Sequence, residues 1–178
     1  MPVAEPPATN GFWPQVKAIS GWPETNEDAV TRLAAAWAKG FTAAGQTDSS
    51  GVATAWADPA GAAFGAKVGK LGQVGAALGQ TMQQMATAVT VFATEVAATK
   101  NNIVQAVTPN ISVYASFATL PRGAGQVTAQ SLVQQVGADV KGLIDQAAAR
   151  VGATAVGKSQ GPWAQPGADG VGLGRARR

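Results

Sequence analysis

The sequence has no cysteine and no histidine. Without thiols there is no disulfide framework and no thiolate site. Without imidazole the commonest general base and the commonest metal ligand are both missing. Charged residues make up only 13% of the chain and aromatics 6%, with a single tyrosine. The ten carboxylates are scattered. Glu27 and Asp28 are neighbours at a helix start, and Asp139 and Asp145 do not share a helical face. No serine lies in a Gly-x-Ser-x-Gly context or has a histidine to activate it. Gly152 to Ser159 does spell Gly-x-x-x-x-Gly-Lys-Ser, but no strand precedes it and it reads as tail, which rejects a phosphate loop. These gaps predict no enzyme, no cofactor and no metal.

Other classes are excluded by what is thin. No uninterrupted apolar run is long enough to predict a membrane-spanning helix. The N-terminus lacks a basic residue before a hydrophobic run, and Pro2, Pro6 and Pro7 interrupt it, so no cleavable signal peptide is expected. The net charge is +3. That excess lies beyond Val156, in Lys158, Arg175, Arg177 and Arg178 against Asp169. The body is neutral, which argues against a nucleic-acid groove.

What remains is 46% hydrophobic, largely alanine and valine. That composition suits thin, closely spaced helices. The stretch from Pro59 to Thr108 organises the rest, with no proline after its first residue. One apolar series reads Phe64, Leu71, Leu78, Met85, Phe92; the interleaved one reads Val68, Gly75, Met82, Val89, Val96, Ile103. This seven-residue recurrence places the bulky side chains on one stripe of a helix roughly 70 Å long. The stripe, with Leu78 at its centre, is expected to be covered by other helices. Beside it, Gly65, Gly72, Gly79, Ala86 and Ala93 share one heptad position. Each interior glycine costs about 1 kcal/mol against alanine, so the glycines predict a partner backbone in close approach.

Before this rod, Met1 to Pro23 reads as an extended Trp/Pro-rich segment, or one with one to two helical turns, whose tryptophans clamp the bundle or plug its core. Thr25 is expected to cap a helix with Asp28 at its third position. Val30, Leu33, Trp37, Phe41 and Ala44 form that helix's apolar face, and it should end near Gln46. Asp58-Pro59 opens the long helix as N-cap and first turn. Lys100-Asn101-Asn102 is a polar break, and Thr108-Pro109 restarts or ends the rod. Asn110 to Leu120 fits either strand or helix and is taken as helix. Val127 to Val151 is the last clear helix, with Leu132, Val136, Val140, Leu143, Ala147 and Val151 on one face. The fold class is all-α: an elongated antiparallel hairpin extended to a three- or four-helix bundle. Its divisions are an N-terminal segment 1–23, a helical bundle 24–156, and a disordered Gly/Pro/Arg tail 157–178.

The run from Ile19 to Ala29, with Trp22-Pro23-Glu24-Thr25-Asn26-Glu27-Asp28, resembles the start of WXG100-like domains. Such domains stand at the N-termini of actinobacterial polymorphic toxins exported by type VII secretion. Trp56 to Gly65 resembles the turn of that family. The resemblance covers roughly Ile19 to Val107. Trp56, Asp58 and Gly61 would then form the export turn, although Trp56-Ala57-Asp58 departs from Trp-x-Gly. The Tyr-x-x-x-acid half of the usual signal is missing at Tyr114; Phe92, followed by Glu95, stands about where that tyrosine would be. Phe64, Val68, Leu71, Leu78, Met82, Met85, Val89 and Phe92 would pack a partner, with Gly65, Gly72 and Gly79 as the close-approach stripe. The implied function is a non-catalytic secretion and interaction module, secreted or at the cell surface. Its partners would be the export machinery and a helical protein or a second copy. The alternatives are a membrane-active helical protein contributing to a pore and a phage or virion structural protein. Membrane contact is not favoured, because the polar faces carry few basic residues.

Overall fold

The computed structural model describes residues 1–45, 56, 58–121 and 123–158. Helix α1 spans Phe12–Ser20, α2 Glu27–Gly45, α3 Pro59–Ser116 and α4 Ala124–Lys158. Short 3-10 turns lead into α1 and out of α3. No strand occurs among the described residues, and the architecture is all-α, as the sequence indicates. The tail beyond Lys158, the expected end of α2 at Gln46 and the connection up to Ala55 lie outside the described residues.

Close approaches fix the direction of each helix. Going along α2 from Gly40 to Ala44, its partners on α3 retreat from Met82 through Gly79 to Gly75. At the other end Glu27 meets Lys100. The two helices are therefore antiparallel. Helix α4 also runs antiparallel to α3, with Gly125 beside Phe117 and Arg150 paired to Glu95. The core lies at one end of this arrangement. Phe12, Trp13 and Val16 of α1, Ile103 and Val107 of α3, and Val133, Val136 and Val140 of α4 form one buried cluster. The four-residue and three-residue steps among them are those that put side chains on one helical face. Among the described helices, the other half of α3 has α2 alone beside it.

Several expectations are corrected. The segment 1–23 is not extended throughout: Phe12–Ser20 is helical, somewhat longer than the one to two turns allowed for, and its apolar face with Trp13 is part of the main core. Pro14 is tolerated because it falls in the first turn, where a missing N–H breaks no helical bond. Asn26, rather than Thr25, caps α2; its Oδ1 accepts from the Ala29 amide at 3.0 Å. Helix α3 runs through Pro109 to Ser116 without a break. Flanking side chains supply donors there: Thr108 Oγ1 to the Val104 carbonyl at 2.7 Å and Asn110 Nδ2 to the Ala106 carbonyl at 2.8 Å. At its start Asp58 caps the helix as read from sequence, accepting from the Gly61 amide at 2.7 Å. Gly152 to Lys158 is helix, not a loop that could cradle phosphate.

The largest correction concerns the sheath of α3. The bulky series is not what the hairpin covers: Phe64, Leu71, Leu78 and Met85 are 44%, 69%, 51% and 44% exposed. Helix α2 lies instead on the stripe of small residues. Gly79, Ala86, Ala93, Lys100 and Val107 recur at seven-residue intervals, and all are buried. Small side chains let two helix backbones approach, and the bulky edge is turned outward as a consequence.

Candidate functional site

Two features of the hairpin are candidates: its tip and the outward edge of α3. At the tip, Trp56 folds back over the first turn of α3. Its ring centroid is 5.9 Å from that of Phe64. Gly61 is buried beneath it, and a Cβ at that position would stand 2.2 Å from the Trp56 carbonyl oxygen. Only glycine fits there without moving the turn. The Gly61 amide holds the Asp58 carboxyl below its usual range, and the Trp56 side chain reinforces this by a hydrogen bond. Trp56, Asp58 and Gly61 are thus brought together in one knot, with the indole still 47% exposed.

The predicted packing stripe divides in two. Phe64, Leu71, Leu78 and Met85 face solvent, while Val68, Met82, Val89 and Phe92 are half-buried. Of the predicted close-approach glycines, Gly79 is buried with Phe41 3.2 Å from where its Cβ would be. Among the described residues, Gly65 and Gly72 have nothing within 4 Å of theirs. The α2 backbone does not come close to the first turns of α3. Phe92 and Glu95 sit lower, where α4 arrives. They border an apolar cleft of about 420 Å³ shared with Val96, Ile144 and Val151. Glu95 Oε2 is held at 3.0 Å by Arg150 Nε. Tyr114 is far from the tip and packs its ring 5.0 Å from Phe12.

Sequence reasoning missed one polar centre. Lys100 and Glu27 are 4% and 6% exposed and meet at 2.8 Å. Lys100 Nζ also donates to the Thr25 carbonyl at 2.8 Å and lies 5.5 Å from the Trp22 ring centroid. Glu27 Oε1 accepts from the Val3 amide. Burial alone would raise the Glu27 carboxyl; the Lys100 and Val3 hydrogen bonds overcome it and bring its pKa to about 2. The available signal was positional, since Lys100 occupies the heptad slot that Ala86 and Ala93 hold above it. This centre ties the N-terminal strap, α2 and α3 together, and the Met1 amine adds a 3.2 Å bond to Asp28. No group of residues among those described could hold a metal ion.

An antiparallel hairpin with a tryptophan turn agrees with the comparison to known families: the WXG100 like domain matches residues 2–140. The chain belongs to the WXG100-like domain family. No curated protein and no solved structure is significantly similar to it. The family match begins well before Ile19 and so takes in α1, which the sequence resemblance left out. It ends at residue 140, inside α4. Membership in the WXG100-like family makes this a helical protein associated with type VII secretion, a family of non-enzymatic proteins whose members self-associate or pair with helical partners. No helix among the described residues is long and apolar enough to cross a membrane.

Proposed function

We propose that the protein is a non-catalytic carrier or partner module of a type VII secretion substrate, exported without a cleaved signal. Its hairpin tip addresses the export machinery, and the outward edge of α3 engages a helical partner of the secreted assembly. The observation that carries this reading is the knot of Trp56, Asp58 and Gly61 at the tip of a WXG100-like hairpin. An indole left half exposed above a rigid helix start is a preorganised contact, since aromatic anchors cost little ordering entropy on binding.

The test is export in a host with a type VII system. Trp56→Ala should deplete the protein from the culture filtrate while it accumulates in cells with an unchanged far-ultraviolet circular dichroism spectrum. Export of Trp56→Ala at the level of the parent protein would refute the role of the tip.

A further inference from the structure

The charge of this molecule is not evenly spread. Between Asp58 and Glu95 the sequence has no carboxylate, but it has Lys67 and Lys70. The facing segment of α2, from Ala29 to Gly45, likewise has Arg32 and Lys39 and no carboxylate. Among the described residues none of these four cations has a carboxylate partner. The neutral body therefore hides a carboxylate-free, basic stretch on each helix of the hairpin. Lys67 falls three residues after Phe64 and four before Leu71, inside the exposed apolar edge. Lys70 stands four residues before Val74, which is 66% exposed beside Leu71.

We propose that this edge docks an acidic helical protein and not a second copy of this chain. The proposal deepens the interaction half of the proposed function and rests on it. Three observations select the occupant. The exposed Phe64, Leu71, Leu78 and Met85 recur every seven residues, which is the seam another helix reads over roughly 32 Å. A membrane surface needs an amphipathic face but no such strict spacing. The charges inside and beside the seam are all cationic, and cations at the flanks of a helical seam choose a partner carrying carboxylates there. A second copy, laid parallel or antiparallel, brings the same carboxylate-free stretch and sets lysine against apolar or cationic neighbours.

The probes are two synthetic peptides of about 28 residues with leucine at the a and d heptad positions. One carries glutamate at the flanking e and g positions and the other lysine. Binding to the full chain is measured by fluorescence anisotropy at about 50 and about 500 mM sodium chloride, with the oligomeric state of the protein alone followed by light scattering. The glutamate peptide should bind at least tenfold tighter than the lysine peptide, and the difference should shrink at high salt. Lys67→Glu combined with Lys70→Glu should invert the preference, and Leu71→Gln, at an exposed position, should weaken both peptides without changing the melting temperature. The protein alone should be monomeric. Equal affinity for both peptides would overturn the proposal. So would a stable dimer that Leu71→Gln dissociates, or cosedimentation with about 7:3 phosphatidylcholine–phosphatidylglycerol vesicles without peptide selectivity. Those results would leave Trp56-dependent export standing. Loss of the export effect at Trp56 with charge-selective binding retained would remove the secretion reading and keep the surface.

Discussion

Lys100 and Glu27 show how much one pair can hold in a chain this poor in charge. Each is almost fully buried, and together they gather the Val3 amide, the Thr25 carbonyl and the Trp22 ring. Removing one partner leaves the other charge buried and alone, which costs about 3–5 kcal/mol. Lys100→Met should therefore lower the urea midpoint sharply, while Glu27→Leu with Lys100→Met should recover much of the loss. The same pair sets an acid limit. The Glu27 carboxyl sits at about 2, below its ordinary 4.5. A depressed carboxyl stabilises the fold fully above the unfolded value and loses that contribution as pH falls through the folded one. Stability should thus decline between about pH 4.5 and about pH 2, and Glu27→Gln should flatten that part of the profile in urea titrations at stepped pH. The heptad slot that Lys100 shares with Ala86 and Ala93 hinted at its burial, but nothing in the amino-acid pattern announced its partner. Its members are separated by 73 positions, and a lysine beside two asparagines reads as a solvated break. Gly61 is a second residue with a sharp expectation. Gly61→Ala would drive a methyl group against the Trp56 backbone, so it should cost about 1–3 kcal/mol in the same assay.

Helix α3 carries two neighbouring stripes with opposite fates. Sequence periodicity located both, and Asp58-Pro59 located its start, because these signals are local. Which stripe the chain covers is not local. Hydrophobicity favours the bulky edge, but α2 can approach closely only where side chains are small, and it settles on Gly79, Ala86 and Ala93. The energetic consequence separates the two halves of the helix. Leu78→Asp alters an exposed side chain, so the stability of the isolated protein should change by about 0.5 kcal/mol or less. Ile103→Ala empties part of the buried cluster that joins α1, α3 and α4, and should cost about 2–5 kcal/mol. Thermal melts of the two variants side by side distinguish them. If Leu78→Asp unfolds the protein, the bulky edge is internal after all. Helices α1 and α4 were misjudged for related reasons. A Trp-Pro pair suggests extended chain unless the proline happens to fall in a first turn, and the length of α4 depends on how far α3 extends to support it.

At the scale of the molecule, the structure is a bundle at one end and a two-helix arm at the other. The bundle buries one cluster of apolar residues, and the arm leaves Phe64, Leu71, Leu78 and Met85 outside. That division explains how a chain with few aromatics and few charges can be stable and still expose an apolar edge. Stability comes from Phe12, Trp13, the valines and Ile103 of the core, and from one buried ion pair. The arm, two helices thick, leaves an edge that water alone does not suit. The secretion role proposed above rests on placement: a tryptophan knot at the tip and a helical seam along the arm.

The measurement that bears most directly on this division is thiol reactivity, because the natural chain has no cysteine to interfere. Single variants Leu78→Cys and Ala86→Cys place a thiol on the outward and inward stripes of the same helix, two turns apart. With an aromatic disulfide reagent, Leu78→Cys should react within about tenfold of the unfolded chain, and Ala86→Cys should be slower by about 100-fold or more, as local opening limits it. Equal protection at both positions, or faster reaction at Ala86→Cys, would contradict the account.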